Sequence, residues 1–178
     1  MPSDRNRSNF DFTEPLLAVA AEYTKYTKRG DRLKWITGLC TAPPTLPMIS
    51  SGQDGQTHGR KLYYLFVKDD KSYQALASAT ALQPAGQALV KESYRPIEVA
   101  EQQFEHWTGA QAKGRYFNRG EMYALFVMLK YDSTTPGTHN GWVYGTLTPD
   151  GKFVTSQGKV ESCIGCHDDA PHDQLYGP

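Results

Sequence analysis

Cys163 and Cys166 stand three residues apart with His167 directly behind them, in the run Cys163-Ile164-Gly165-Cys166-His167. That spacing suits one chemistry in particular. Two thiols so placed can add to the two vinyl groups of one haem, and a histidine following the second thiol can reach the iron as its proximal ligand. Other thiol chemistries ask for different surroundings. Zinc usually needs a second ligand pair, and the only further cysteine is Cys40, with no partner near it. A thioredoxin-like pair would follow an early strand in a βαβ pattern, whereas this one stands late in the sequence. The reading is one haem c, attached through Cys163 and Cys166, with His167 on the iron. Cys40 is expected to be a buried thiol or to form an intermolecular disulfide.

The placement of the motif also bears on the iron's other face. Eleven residues follow His167, none of them methionine, and His172 is too near to wrap round a haem. Upstream, His58, His106, His139, Met48, Met122 and Met128 remain as candidate sixth ligands. Each has a plainer reading: Met128 in the core, His139 in a turn, His58 in a polar loop. A five-coordinate iron with an open face is therefore expected, which suits ligand binding or catalysis better than electron relay.

Periodicity and turn chemistry outline the elements that must hold these residues. Thr13 can cap a helix over about residues 14–27, with Leu16, Val19, Ala20, Tyr23 and Tyr26 at helical spacing. Arg29-Gly30-Asp31 ends it, and Leu33–Gly38 begins a short strand. Residues 41–60, rich in Pro, Gly, Ser and Thr, read as a long loop. Lys61–Lys68 is a strand; Asp69 or Asp70 caps a short helix to about Thr80; and Pro84-Ala85-Gly86 turns into a strand over Gln87–Tyr94. Val99–Trp107 is read as helical. Met122–Lys130 is the most apolar strand and is expected at the centre. Gly141–Leu147 pairs with Phe153–Ser156 through the turn Thr148-Pro149-Asp150-Gly151. The fold class is α+β, mainly β: an antiparallel sheet with peripheral short helices carrying one c-type haem. A four-helix bundle is excluded because long helical periodicity is missing.

The length of 178 residues fits one domain, 1–178, with residues 1–12 as a flexible tail. Lys plus Arg number 19, as do Asp plus Glu, so no basic surface argues for nucleic acid. No apolar run is long enough to span a membrane. Residues 1–12 are polar and lack a secretory signal pattern. Covalent haem attachment belongs outside the bacterial cytoplasm, so we expect a periplasmic protein numbered from a mature or engineered N-terminus.

Several segments in linked order carry a further resemblance. They are the strand Lys61–Val67 followed by Asp69-Asp70 and Ser72-Tyr73, then Pro84 leading to Val90-Lys91-Glu92. Met128–Lys130 and Gly141-Trp142-Val143-Tyr144 come next, and the haem motif and the tail Ala170-Pro171-His172-Asp173-Gln174-Leu175-Tyr176-Gly177 close the series. Over roughly residues 60–178 the chain resembles the cytochrome P-460 family, which includes the cytochromes c′-beta. The resemblance implies a five-coordinate c-type haem on an antiparallel β scaffold, usually in a homodimer. In hydroxylamine-oxidising members a lysine is also bonded to the porphyrin edge, and the matching position here is Lys91.

Hydroxylamine oxidation is thus the first implied function, with electrons passing to an external acceptor such as another cytochrome. Glu92 and Glu121 are the candidate proton acceptors beside Lys91, and Arg60 the candidate for a haem propionate or for guiding substrate. The sequence departs from the hydroxylamine oxidisers where an acidic residue can stand near the distal pocket, since Phe126 occupies about that position. An aromatic wall there resembles the nitric-oxide-binding cytochromes c′-beta, which is the alternative. An electron-transfer cytochrome with a sixth ligand is the third possibility.

Overall fold

The computed structural model describes residues 10–36, 61–77, 81–112 and 114–176 of the chain. Among the described residues seven strands form one antiparallel sheet: β1 (Thr27–Ile36), β2 (Lys61–Val67), β3 (Ala88–Val99), β4 (Ala110–Ala112), β5 (Arg115–Lys130), β6 (Trp142–Leu147) and β7 (Val154–Gly158). Their order is β1-β2-β3-β5-β6-β7, with β4 paired to the first residues of β5. Around the sheet lie the short helices α1 (Thr13–Glu22), α2 (Asp70–Gln74) and α3 (Glu161–His167). This is the mainly β architecture that the aromatic strands and turns predict. β5 is central, as its apolar run requires.

Side chains alternate across a strand, and here the alternation divides the core in two. One face presents Leu62, Tyr64, Phe66, Val90, Leu125, Val127, Leu129, Val143 and Leu147, and α1 covers it with Leu16, Val19 and Tyr23. The other presents Leu65, Val67, Leu89, Met128, Trp142 and Tyr144. Over this second face lie Tyr73 and Leu76 from α2 and the turn after it, Cys163 from α3, and Leu175 from the tail. Because both faces are covered, β5 reads as a continuous apolar run rather than a strict alternation. On the first face Gly145 lets α1 settle close: a Cβ there would lie 2.7 Å from Leu16 Cδ1.

The helix expected over 14–27 is shorter. α1 ends at Glu22, a 3-10 turn covers Tyr23–Lys25, and Tyr26 is already extended. The N-cap is Phe12, not Thr13, and it makes no side-chain cap bond; just ahead of it Asp11 Oδ1 accepts from Thr13 N at 2.9 Å. Phe12, expected in the flexible tail, is 7% exposed and packs on Tyr131 with ring centroids 5.5 Å apart. Arg29-Gly30-Asp31 does not close the helix but lies inside β1, where the register against β2 shifts between Arg29 and Lys34. Pairing with β2 overrides the local turn signal. Nor is Val99–Trp107 a helix: β3 runs on through Val99, which pairs with Tyr116, and only Glu101–Gln103 forms a 3-10 turn. Pro96 fits this longer strand because it sits at a register irregularity, where a missing N–H is tolerated.

Other expectations agree closely. Asp69 caps α2, its Oδ1 accepting from Ser72 N at 3.0 Å and its Oδ2 from Ser72 Oγ at 2.6 Å. The β6–β7 hairpin turns where foreseen, with Gly151 at φ +70° donating to Thr148 O at 2.9 Å. The strand start expected over Leu33–Gly38 falls partly in β1. Cys40, the loop over 41–60 and the end of the helix at Thr80 lie outside the described residues.

Candidate haem-attachment site

α3 places the thiols. Val160 precedes it, and Val160 O accepts from Cys163 N and Ile164 N at 2.9 and 3.0 Å. Residues three apart share one side of a helix, and Cys163 and Cys166 are 8% and 3% exposed, with Cys163 packed in the core of the second sheet face. They form no disulfide with each other. Burial pushes the Cys163 thiol up to about 11, against the pull of Lys61, the hydroxyl of Ser162 and Lys91, while Cys166 adds to the rise.

His167 follows on the last turn of α3. Its Nδ1 lies 2.6 Å from Gln174 O. A carbonyl can only accept, so Nδ1 carries the hydrogen and the ring lone pair sits on Nε2, the tautomer a proximal iron ligand needs. The imidazole is flanked by Tyr144 and Tyr176, with ring centroids at 5.3 and 6.2 Å. Tyr176 Oη donates to Cys166 O, tying the tail to the helix. Behind Tyr144, His139 Nε2 lies 2.8 Å from Asp168 Oδ1 and its Nδ1 lies 3.2 Å from Tyr144 Oη. The Tyr144 hydroxyl is held far above its ordinary pKa, chiefly by burial and then by the nearby Cys163, Asp168 and Asp173.

The sheet brings Lys91 and Phe126 to the same face. Leu65, Lys91 and Phe126 are successive register partners across β2, β3 and β5, and Leu65 belongs to the core cluster that includes Cys163. Lys91 Nζ stands 4.9 Å from the centroid of the Tyr63 ring. Two residues not singled out from sequence join them. Lys61, only 4% exposed, sets its Nζ 3.5 Å from the Phe126 ring centroid, and Tyr63 is raised to about 12 by burial. The available signal was the period of two along β2, which puts Lys61, Tyr63 and Leu65 on one face.

Two of the expected acids go elsewhere. Glu92 points to the α1 face, where Tyr23 Oη donates to its Oε1 at 2.7 Å and Tyr94 Oη to its Oε2 at 2.8 Å. Alternation along β3 separates it from Lys91, so adjacency in sequence places it away from the site. Glu121 lies at an exposed position, its side chain 73% exposed and paired with Arg95 at 2.9 Å. Arg60, His58 and Met48 lie outside the described residues. Of the other candidate sixth ligands, Met122 packs on the α1 side, Met128 is buried in the core, His106 is exposed beside Phe104, and His139 is engaged as above.

The donor set fits a covalent haem. It comprises two thiols one turn apart and an imidazole in the Nδ1–H tautomer, with its lone pair on Nε2. Two buried polar atoms also make no hydrogen bond among the described residues, His172 Nδ1 and Gln174 Oε1. Both lie in the tail that holds His167. Among the described residues no group of three or more His, Cys, Asp or Glu is arranged for a bare metal ion. No helix among the described residues is long and apolar enough to cross a membrane. No curated protein matches the chain. A family model described as Cytochrome P460 matches residues 46–176.

Proposed function

Because the chain belongs to the cytochrome P460 family, we propose that it is a mono-haem c-type cytochrome that binds nitric oxide at a five-coordinate iron. One observation carries this reading: Phe126 lies opposite Lys91 on the face that holds Cys163, while Glu92 faces away. Nitric oxide binds and leaves without shedding protons, so an aromatic wall serves it. Hydroxylamine loses protons as it is oxidised, and that step needs a base within reach.

The haem, when bound, supplies an iron that takes a small ligand. The chain's own residues do the rest. The Cys163 and Cys166 thiols fix the group to α3. His167 offers Nε2 while Gln174 O holds Nδ1–H. Phe126 and Tyr63 line the face with aromatic surface, which excludes water and favours small neutral ligands. Covalent attachment puts the working protein in the periplasm.

A second reading, hydroxylamine oxidation with Lys91 bonded to the haem edge, draws support from the position of Lys91. It shares the face of Cys163 and lowers the pKa of that thiol through its charge. In that reading the electrons pass to an external acceptor such as another cytochrome. The ferrous spectrum, together with mass spectrometry of the tryptic Lys91 peptide, separates the two. An ordinary high-spin spectrum, an unmodified Lys91 peptide and tight nitric oxide binding are expected. A strongly red-shifted Soret band, a haem-linked Lys91 peptide and turnover of hydroxylamine with an artificial acceptor would establish the second reading instead. A low-spin spectrum would overturn both in favour of electron transfer.

A further inference from the structure

We propose that Lys130 and Asp173 are positioning residues for the proximal histidine: their buried ion pair holds the turn that aims the Gln174 carbonyl at His167 Nδ1. This rests on the reading of His167 as the iron ligand. The turn is unusual for its sequence. His172 and Leu175 exchange backbone hydrogen bonds at 3.2 and 2.9 Å across Asp173 and Gln174, which adopt φ +51° and +60°. Two successive left-handed residues at the tip of such a turn are ordinarily Asn, Asp or Gly, because a Cβ is strained there. Asp173 tolerates that conformation, but Gln174 has no local reason to choose it, so tertiary contacts must help to impose it.

Those contacts converge on Asp173. Its Oδ1 lies 2.8 Å from Lys130 Nζ, with the two side chains 4% and 7% exposed. Its Oδ2 accepts from Gln83 N at 2.9 Å, and its backbone carbonyl accepts from Trp142 Nε1 at 2.9 Å. Lys130 Nζ also donates to Asn140 O at 2.9 Å and lies 4.9 Å from the Trp142 ring centroid. Lys130 and Trp142 are register partners at the adjoining ends of β5 and β6, so the turn is tied to two sheet strands as well as to the loop residues Gln83 and Asn140.

A buried ion pair is a poor source of stability, since desolvation offsets most of its attraction; its better-attested use is to select one geometry. The geometry selected here is the line from Gln174 O to His167 Nδ1, one residue beyond the pair. A carbonyl held on Nδ1–H makes the imidazole a stronger donor through Nε2, which favours ferric over ferrous iron. The pair thereby sets the iron's potential through two intervening groups without touching the haem.

The test compares the holoprotein with Asp173→Asn and Trp142→Phe, reading the iron–histidine stretching frequency in the ferrous state and the midpoint potential. Trp142→Phe keeps an aromatic ring at that position and removes the donor to Asp173 O, together with part of a fully buried side chain. Both variants are expected to lower the stretching frequency and raise the potential, Asp173→Asn by more. A pair that merely fastens the tail would reduce stability and leave both readouts at their wild-type values, and that result overturns the proposal. If Asp173→Asn yields no holoprotein, Trp142→Phe decides by the same criteria. A wild-type protein without an iron–histidine mode would overturn the ligand assignment itself, and this inference with it.

Discussion

Lys91 and Glu92 are neighbours in β3, yet their side chains lie on opposite faces of the sheet. Lys91 shares the face of Cys163, and Glu92 accepts from Tyr23 and Tyr94 beneath α1. Their peptide bond thus joins the candidate site to the structural core, and the two side chains should answer to different experiments.

Replacing Glu92 with alanine strips the acceptor from two tyrosine hydroxyls at once. Leaving them unsatisfied should cost about 2–4 kcal/mol in urea unfolding, with the haem spectrum unchanged. Lys91→Ala should do the reverse, altering the spectrum or ligand affinity with little loss of stability. A Glu92 variant of normal stability with a shifted spectrum would place that carboxylate at the site after all.

Attachment through two thiols predicts a graded loss. Cys163→Ala and Cys166→Ala should each keep the haem on the chain in a denaturing gel through one remaining thioether. The double variant should release it entirely. Survival of covalent haem in the double variant would point to another bond, with the Lys91 peptide as the first place to look.

The parts of the fold that sequence reveals are those set by local rules. Aromatic and aliphatic content marked β2, and Thr148-Pro149-Asp150-Gly151 marked the β6–β7 hairpin, because turn chemistry acts within a few residues. The first part of β1 escaped because Gly30 and Asp31 read as a stop, whereas its conformation is set by pairing with β2 across a long intervening segment. The second half of β3 escaped for a similar reason, since Pro96 is acceptable only once a register irregularity surrounds it. At the site, Cys163, Cys166 and His167 are contiguous and hence legible. Alternation also put Lys91 and Glu92 on opposite faces, but it carried no sign of which face α3 would cover. The Lys130–Asp173 pair spans 43 residues, and no local pattern announces it.

Burial raises both Tyr63 and Tyr73 from 10.0 to about 12. Above pH 10 the unfolded chain releases these protons while the folded protein retains them, so the unfolded state binds fewer protons and stability falls as pH rises. The contribution is complete below pH 10 and is lost toward pH 12, at up to about 1.4 kcal/mol per pH unit for each tyrosine. Urea midpoints measured from pH 9 upward should decline through this window, and Tyr63→Phe should flatten the decline. A flat profile in the wild-type protein would refute the burial of these hydroxyls.

The approach of α1 to β6 gives a sharper packing test. Leu16 is fully buried, and a Cβ on Gly145 would meet Leu16 Cδ1 at 2.7 Å and Cδ2 at 2.8 Å. Gly145→Ala must displace that side chain, at a cost of about 1–3 kcal/mol. Leu16→Ala opens a cavity and should cost about 2–5 kcal/mol. Combined, the substitutions should be less damaging than their sum, because the alanine at 16 removes the atoms that the new methyl strikes and the methyl fills part of the cavity. A double-mutant cycle in urea measures the difference; strict additivity would show that the helix does not rest on Gly145. Since Gly145 lies on the face opposite Cys163, none of the three variants should alter the haem spectrum.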